Sequence, residues 1–295
     1  MNRQAYVLLM LTTLMWGGNA VAGKLAVGHV SPMLLTAARW GFACVGLSLI
    51  GWRQLAKDWA VVRAHMPTLA GLGIVGFSAF NIALYSALNY TTAVNVSIEQ
   101  AGIPMLIFAA NFIFFRLRVS AGQIVGFFLS LAGIALTASN GDPLQLLRLD
   151  VNAGDALMLL AITVYAGYTV ALRFRPQIHW QSFMIVLSAS ACLFTIPFAV
   201  IEYWTGATVW PSTQGWGVIA YTAIFPSLLA QIFYVRGVEL IGPNRAGLFI
   251  NLVPVFGTLL AIVVIGEPFR PYHGAALALV MGGIWLAEWS GRKMG

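Results

Sequence analysis

The stretch LMWGGNAVAGK, residues 14–24, places an aromatic residue, two adjacent glycines and an amide inside one apolar run. A second stretch, TVYAGYTVALR at residues 163–173, repeats the spacing of aromatic and small residues about 150 positions later. The same offset places Pro104 over Pro254. Few aligned residues are identical, so the repeat rests on this common spacing. We therefore interpret the chain as two related halves.

The composition is typical of a membrane protein, because 60% of the 295 residues are hydrophobic and 8% are charged. A soluble domain carries about a quarter charged residues, which keep its surface hydrated. A helix that crosses a bilayer needs about 20 mainly apolar residues. Ten such runs are predicted between clusters of charged and turn-forming residues, at 4–23, 32–52, 67–88, 96–115, 121–138, 153–172, 181–201, 216–234, 246–266 and 272–289.

The predicted fold is an all-α membrane protein of ten transmembrane helices, arranged as two inverted five-helix repeats over residues 1–139 and 153–291. Because five is odd, the second half must insert with the opposite orientation to the first. Inverted repeats are a transporter architecture, in which the two halves exchange inward-open and outward-open shapes around a central site. The architecture therefore predicts a carrier that works by alternating access.

The distribution of basic residues predicts that both termini are cytoplasmic, and the membrane is expected to be a bacterial inner (plasma) membrane. Short cytoplasmic loops carry an excess of Lys and Arg. With the N-terminus inside, the inner side holds Arg3, Arg53, Lys57, Arg63, Arg116, Arg118, Arg173, Arg175, Arg236, Arg245, Arg292 and Lys293, and the outer side holds Lys24, Arg148 and Arg270. The first run also imitates a secretory signal ending in Ala20-Val21-Ala22, but Trp16, Asn19 and the counterpart in the second half favour a retained helix.

Aromatic and amide side chains recur inside the predicted spans at positions related by the repeat. The candidate substrate-binding residues are Trp16, Asn19, Asn81, Tyr85, Gln100, Tyr165, Tyr168, Gln231, Tyr234 and Asn251. Pro104 and Pro254 are predicted helix kinks, which leave the carbonyls of Gln100 and Ile250 without a helical donor. Such groups are tolerated in a membrane where they are buried in protein or line a cavity. The alternative is that the prolines only bend helices and the amides only join neighbouring helices.

This lining suits a compact zwitterion or an aromatic solute, held by stacking and hydrogen bonds. It suits a phosphate or a sugar nucleotide poorly, because those ligands require several Lys or Arg. Cation–π attraction would also admit organic cations, so multidrug efflux is the alternative function. Two charged residues inside spans, Arg39 and Glu99, are candidates for coupling or gating. Glu99 is expected to be the only acid well inside a span.

Small residues recur at intervals of four in the fifth and tenth runs. They are Gly122, Gly126 and Ser130 in the fifth and Gly274, Ala278 and Gly282 in the tenth. Such spacing lets helices approach closely. We expect these two helices to pack together, away from the cavity. The alternative is a homodimer seam, so the chain is a monomer or a homodimer.

The sequence lacks the motifs of a phosphate-binding loop and of an HExxH metal site, and the four histidines are far apart. We therefore expect no catalytic residues, no cofactor and no metal, and a membrane-embedded enzyme is the less favoured alternative. The expected partners are a small-molecule substrate and membrane lipid, with no nucleic acid.

Several short motifs in order resemble the EamA repeats of the drug/metabolite transporter superfamily. They are Trp16-Gly17-Gly18 with Lys24, Ser31-Pro32, Ala38-Arg39, Pro104, Pro254, Gly266-Glu267 and Gly282-Gly283. The resemblance covers nearly the whole chain and is greatest to the family's exporters of aromatic amino acids. It implies export, without ATP, of aromatic and other neutral amino acids and their analogues. The first half departs from the family in having Phe115-Arg116 where Gly-Glu is usual.

Overall fold

The computed structural model describes residues 3–116, 120–142 and 152–291, and all regular secondary structure within these ranges is helical. We number ten helices. They are α1 Arg3–Ala26, α2 Pro32–Ala64, α3 Met66–Ala87, α4 Ala93–Phe115, α5 Ala121–Ala138, α6 Ala153–Phe174, α7 Trp180–Trp204, α8 Thr213–Ile241, α9 (Pro243–Ile250 with Val253–Ile265) and α10 Pro271–Gly291.

The prediction of an all-helical protein is confirmed. In the described ranges, nine helices are long and apolar enough to cross a membrane, and α10 contains a shorter apolar stretch, Pro271–Ala287. The bounds of α5 agree with the predicted run, whereas α2 continues beyond residue 52 to Ala64. This extension is polar, and its Asp58 accepts from Ser182 Oγ at 2.6 Å. The orientation in the membrane stays a prediction, and four of its basic residues, Arg118, Arg148, Arg292 and Lys293, lie outside the described residues.

Irregular segments occur at matching places in the two halves. α3 contains a π-helical segment at Ile74–Ala79, and α8 contains one at Phe225–Leu229. π-Helical turns inside α-helices are often found at functional sites. In α8 the irregularity includes Pro226, which has no backbone N–H to donate within the helix.

α4 and α9 are each interrupted about two turns after they begin. α4 divides into Ala93–Gln100 and Ile103–Phe115, and α9 divides into Pro243–Ile250 and Val253–Ile265. Pro104 and Pro254 are each the second residue of the second segment. Proline is well accommodated there because the first N–H groups of a helix have no intrahelical acceptor. The prolines therefore lie where each helix restarts.

Helices of the first half pack against helices of the second half. α1 packs against α8 and α9, while α6 packs against α3 and α4. α2 packs along α7, and α5 packs along α10. The first helix of each half is thus enclosed by helices of the other half, so the interior belongs to both.

The close packing of α5 and α10 is confirmed. A Cβ on Gly126 would meet the Gly283 carbonyl, and Ser130 Oγ donates to the Val280 carbonyl at 3.3 Å. The register predicted for α10 is wrong, because Gly282 faces open space and Gly283 makes the contact. Neighbouring residues of a helix point about 100° apart, so the shift by one residue selects a different face.

Candidate substrate site

Arg39 lies at the centre of a polar network that joins both halves. Its side chain is 5% exposed. Nε donates to Ser227 Oγ at 2.7 Å, and Nη1 donates to Asn19 Oδ1 at 2.8 Å and to Asn81 Oδ1 at 2.7 Å. Nη1 also contacts the Tyr85 hydroxyl. We call these five residues the Arg39 network, and they bring together α1, α2, α3 and α8.

Two irregular helices position the acceptors of this network. Asn81 and Tyr85 are four residues apart on one face of α3, directly after its π-helical segment. Ser227 lies within the π-helical segment of α8, where its hydroxyl donates to the Thr222 carbonyl at 2.8 Å. The Tyr85 hydroxyl donates to Asn19 Oδ1 at 2.9 Å. The acceptors are therefore held in place by bonds of their own.

In the part of the chain that the structure describes, no acidic side chain pairs with the positive charge of Arg39. Each hydrogen-bond partner of Arg39 in the described ranges is a neutral amide or hydroxyl, and its Nη2 group has no partner there. An unpaired arginine at the centre of a membrane helix costs about 2.5–3.5 kcal/mol on insertion scales. A guanidinium binds a carboxylate with particular strength, through parallel N–H···O bonds. The geometry thus fits an anionic group supplied by a ligand.

Aromatic rings flank the network on two sides. Trp16 Nε1 donates to the Pro226 carbonyl at 3.1 Å, and the Trp16 and Tyr234 rings lie 5.3 Å apart. Arg39 Cζ lies 4.8 Å from the centroid of the Trp40 ring, which stacks on Phe77 at 4.3 Å. Rings at these distances provide stacking and cation–π attraction to an aromatic or amine-bearing solute.

A second aromatic group lies along α6. The Tyr165 ring lies 4.8 Å from Phe80 and 5.4 Å from Tyr168, and Tyr168 lies 6.0 Å from Phe77. Because Phe77 also stacks on Trp40, a continuous series of rings connects α6 to the Arg39 network. The structure thus brings together Trp16, Asn19, Arg39, Asn81, Tyr85, Tyr165, Tyr168 and Tyr234 of the predicted residues.

Three predicted amides lie outside this network. Gln100 Nε2 is directed back to its own helix, where it donates to the Val96 carbonyl at 3.4 Å. Gln231 and Asn251 are half-buried, and neither is one of the five residues that define the Arg39 network. Their role in substrate binding stays a prediction.

Glu99 is also separate from the Arg39 network. It is 0% exposed, and neither carboxylate oxygen has a hydrogen-bond partner in the described ranges. Its electrostatic neighbour is Asp155 of α6, which is buried as well. Glu99 is therefore not the only buried acid in the described ranges. Asp155, although near the start of its helix, is covered by the α3–α4 connection, from which Thr91 donates to its Oδ1 at 2.5 Å.

Sequence reasoning missed Trp40, Phe77, Asp155 and the carbonyl of Pro226. Pro226 offered a signal, since a proline inside an apolar run marks an irregular helix. Trp40 and Phe77 offered none, because an aromatic residue in a span is as often packing as lining. Their role follows only from the packing of α2 against α3.

The model of the EamA-like transporter family matches the chain twice, at residues 3–139 and 152–289. Two similar proteins of Bacillus subtilis are described as the uncharacterized transporters YetK and YyaM. YetK is 26% identical over 96% of this chain and 86% of its own length, and YyaM is 25% identical over 96% of this chain and 93% of its own. An uncharacterized transporter of Archaeoglobus fulgidus is 26% identical over 97% of this chain and 98% of its own.

The fold is also similar to that of a crystal structure titled only as that of a protein. The TM-score is 0.67 at 22% sequence identity, and the match covers 100% of this chain and 99% of the other. At this identity the likeness concerns the fold alone.

Proposed function

Because the chain belongs to the EamA-like transporter family of the drug/metabolite transporter superfamily, we propose that it exports aromatic and other neutral amino acids. It does so as a secondary carrier by alternating access, across a bacterial inner membrane with both termini cytoplasmic. The resemblance of its motifs to the YddG-type exporters of aromatic amino acids supports this choice of substrate. Membership of the family makes the chain a multi-pass membrane transporter; the substrate, the direction of transport, the membrane and the orientation of the termini are our proposals.

The observation that carries the proposal is the buried guanidinium of Arg39 with neutral partners. Its Nη2 group has no partner in the described ranges, so it remains available to the carboxylate of a substrate. The rings of Trp16 and Tyr234 provide an aromatic surface on the helices that flank it. A substrate with one carboxylate and one apolar or aromatic side chain matches these two features together.

The same observation disfavours the export of organic cations. A buried positive charge repels a cationic substrate, and repulsion between like charges in a low-dielectric interior is strong. Phosphate and sugar nucleotides are also disfavoured, because the network offers one guanidinium and several neutral acceptors. An amino acid needs only one strong anion-binding group.

Counterflow in proteoliposomes tests the proposal. Vesicles are preloaded with unlabelled phenylalanine or threonine, and entry of labelled amino acid is followed against empty liposomes. We expect saturable uptake of the labelled amino acid, and we expect other, unlabelled neutral amino acids to reduce this uptake by competition. Absence of uptake for every amino acid, in protein shown to be monodisperse and helical, would refute the proposed substrate class. Uptake of an organic cation under the same conditions would replace it with the efflux alternative.

A further inference from the structure

An oxygen-rich cluster lies where the start of α4 meets α6. It consists of Thr91, Asn95, Glu99 and Asp155, which we call the acidic cluster. Asn95 and Glu99 are four residues apart and share a face of α4. Asn95 Nδ2 donates to Thr91 Oγ1 at 3.2 Å, and Thr91 Oγ1 donates to Asp155 Oδ1 at 2.5 Å. The cluster thus joins the two halves of the chain.

The acidic cluster has more acceptors than donors. Asn95 Oδ1, both oxygens of Glu99 and Asp155 Oδ2 are buried without a hydrogen-bond partner in the described ranges. The orientation of the Asn95 amide follows from the network, because Thr91 gives its one proton to Asp155 and must accept from an N–H. Buried polar groups are normally satisfied, so four buried acceptors without donors, three of them on two carboxyl groups, indicate that the cluster takes up positive charge.

The ionisable groups around the cluster do not supply that charge. Those on neighbouring elements are Lys24, Glu267, Arg270, Tyr272 and His273. Lys24 Nζ donates to the carbonyls of Leu88 at 2.9 Å and Thr91 at 2.7 Å. The Glu267 carboxylate adds negative charge and accepts from the backbone N–H groups of Ala93 and Val94, at 2.9 Å and 2.8 Å.

A cavity adjoins the acidic cluster on the side where α4 begins. Its volume is about 310 Å³, and it is lined by Thr92, Asn140, Pro268, Arg270, Tyr272 and His273. Thr92 directly follows Thr91 of the cluster. Nε2 of His273 is buried without a partner in the described ranges, while its Nδ1 accepts from the Arg270 backbone N–H at 3.1 Å. Chains of His, Asp and Glu in membrane proteins commonly carry protons.

A short segment connects the acidic cluster to the Arg39 network. Tyr85 of that network and Thr91 of the cluster lie six residues apart, across the end of α3. Lys24 of α1 fixes this segment through the carbonyls of Leu88 and Thr91. Gly154 allows α6 to approach it closely, since a Cβ there would lie 2.7 Å from the Ala87 carbonyl oxygen. This segment is therefore the shortest covalent link between the partner of Asp155 and Tyr85.

We propose that Glu99 and Asp155 share one proton, taken up from this cavity, and that its exchange drives export. Two neighbouring buried carboxylates cannot both be ionised at low cost, and one shared proton turns one carboxyl into a donor for the other. During the transport cycle the proton enters from one side of the membrane and leaves on the other, as one amino acid moves in the opposite direction. The inference rests on the proposed function, because it supplies the driving force for that substrate.

The experiment compares two assays of labelled phenylalanine in the same proteoliposomes, with the membrane potential clamped at zero. Counterflow without a pH gradient tests the carrier function. Uptake into vesicles that are one pH unit more acidic inside tests coupling. For one proton per substrate we expect accumulation of about tenfold per pH unit, no accumulation with the reversed gradient, and no effect of replacing sodium by choline.

Glu99→Gln and Asp155→Asn test the residues. We expect both variants to retain measurable counterflow but to lose accumulation, because an amide neither takes up nor releases the proton. The matched control is Glu239→Gln, since Glu239 is an exposed acid that pairs with Arg236 at 2.8 Å. We expect this variant to keep both activities.

The outcomes separate the two proposals. Absence of wild-type counterflow refutes the proposed function and, with it, the inference. Counterflow without accumulation in acidic vesicles, or accumulation that requires sodium, overturns the proton site alone. Accumulation at the wild-type level in either amide variant also overturns it.

Discussion

The Arg39 network and the acidic cluster are two buried polar regions with opposite deficits. The Arg39 network has one positive charge, neutral acceptors and a guanidinium nitrogen without a partner in the described ranges. The acidic cluster has two carboxyl groups and four acceptor atoms without donors there. The two regions share no hydrogen bond in the described ranges, and each has its own set of partners. In the two proposals above, each region is completed by something from outside the chain: a substrate carboxylate at the Arg39 network and a proton at the acidic cluster.

The largest expected effect is that of Arg39. Arg39→Met should weaken the apparent affinity for phenylalanine by about 100-fold, because hydrogen bonds to a charged group contribute about 1.5–3 kcal/mol each. Arg39→Lys keeps the charge but loses the planar fork, so we expect a loss of about tenfold. The concentration dependence of counterflow measures both.

The control for Arg39 is Arg236→Met, which removes an exposed guanidinium from an ion pair on α8. We expect its affinity to equal that of the wild type. A wild-type affinity in Arg39→Met would instead remove the carboxylate-binding role and with it the contrast between the two regions.

The next effect concerns the aromatic side of the Arg39 network. Trp16→Ala removes the ring that contacts Tyr234 at 5.3 Å. We expect affinity for phenylalanine to fall about tenfold and that for threonine to fall less, because stacking of aromatic pairs adds about 0.5–1.5 kcal/mol beyond the apolar area that is buried. Competition by the two amino acids in counterflow measures the ratio, and an equal loss for both would contradict the aromatic surface.

Tyr85→Phe removes the hydroxyl that contacts Arg39 Nη1 and donates to Asn19 Oδ1. A net hydrogen bond contributes about 0.5–1.5 kcal/mol, so we expect a loss of affinity of about three- to tenfold. Counterflow is again the measurement. An unchanged affinity would show that the hydroxyl orders the empty site without affecting substrate binding.

Thr91→Val tests the contribution of one hydrogen bond within the acidic cluster. It removes the hydroxyl that donates to Asp155 Oδ1 at 2.5 Å while nearly preserving the shape of the side chain. We expect accumulation driven by the pH gradient to fall by roughly a few-fold, in line with one hydrogen bond, and counterflow to persist. Equal losses in the two assays would indicate a general role in folding.

The last expected effects concern the glycines beside each region, and they act on packing rather than on substrate binding. A Cβ on Gly17 would lie 2.7 Å from the Gly257 nitrogen, and one on Gly154 would lie 2.8 Å from the Thr91 nitrogen. Substitution by alanine overpacks each contact at about 1–3 kcal/mol. We expect Gly154→Ala to reduce accumulation more than counterflow, and Gly17→Ala to reduce both.

Gly167→Ala is the control for these two variants, because nothing lies within 4 Å of its added Cβ. Thermal unfolding in detergent measures the stability of all three. A melting temperature for Gly154→Ala equal to that of Gly167→Ala would contradict the close approach of α6 to the α3–α4 connection.

The helices could be predicted from the sequence because apolar runs in lipid have few alternatives to helix. The bounds of α5 were predicted correctly from its apolar run. The polar end of α2 was not predicted, because a search for apolar runs does not detect a helix that continues through polar residues. The grouping of Asn19, Asn81 and Tyr85 followed from the repeat and from helical spacing. The position of Arg39 among them did not, because it depends on how α2 packs against α3 and α8.

The acidic cluster shows the same limit. Glu99 was visible as a charge inside a span, but its pairing with Asp155 was not. Asp155 is the third residue of a predicted span, where acids commonly face water or a helix terminus. Its burial results from a contact between the two halves, which no local pattern in either half contains.

Competition experiments test most directly whether Arg39 binds the substrate carboxylate. Counterflow of labelled phenylalanine by the wild-type protein is measured in the presence of unlabelled competitors. The competitors are unlabelled phenylalanine, its decarboxylated amine and its deaminated acid. If Arg39 binds the substrate carboxylate, phenylalanine should compete fully, the acid should compete in part, and the amine should be weaker than phenylalanine by about 100-fold. Competition by the amine at the level of phenylalanine would show that the site does not bind a carboxylate, and the assignment of Arg39 would be wrong.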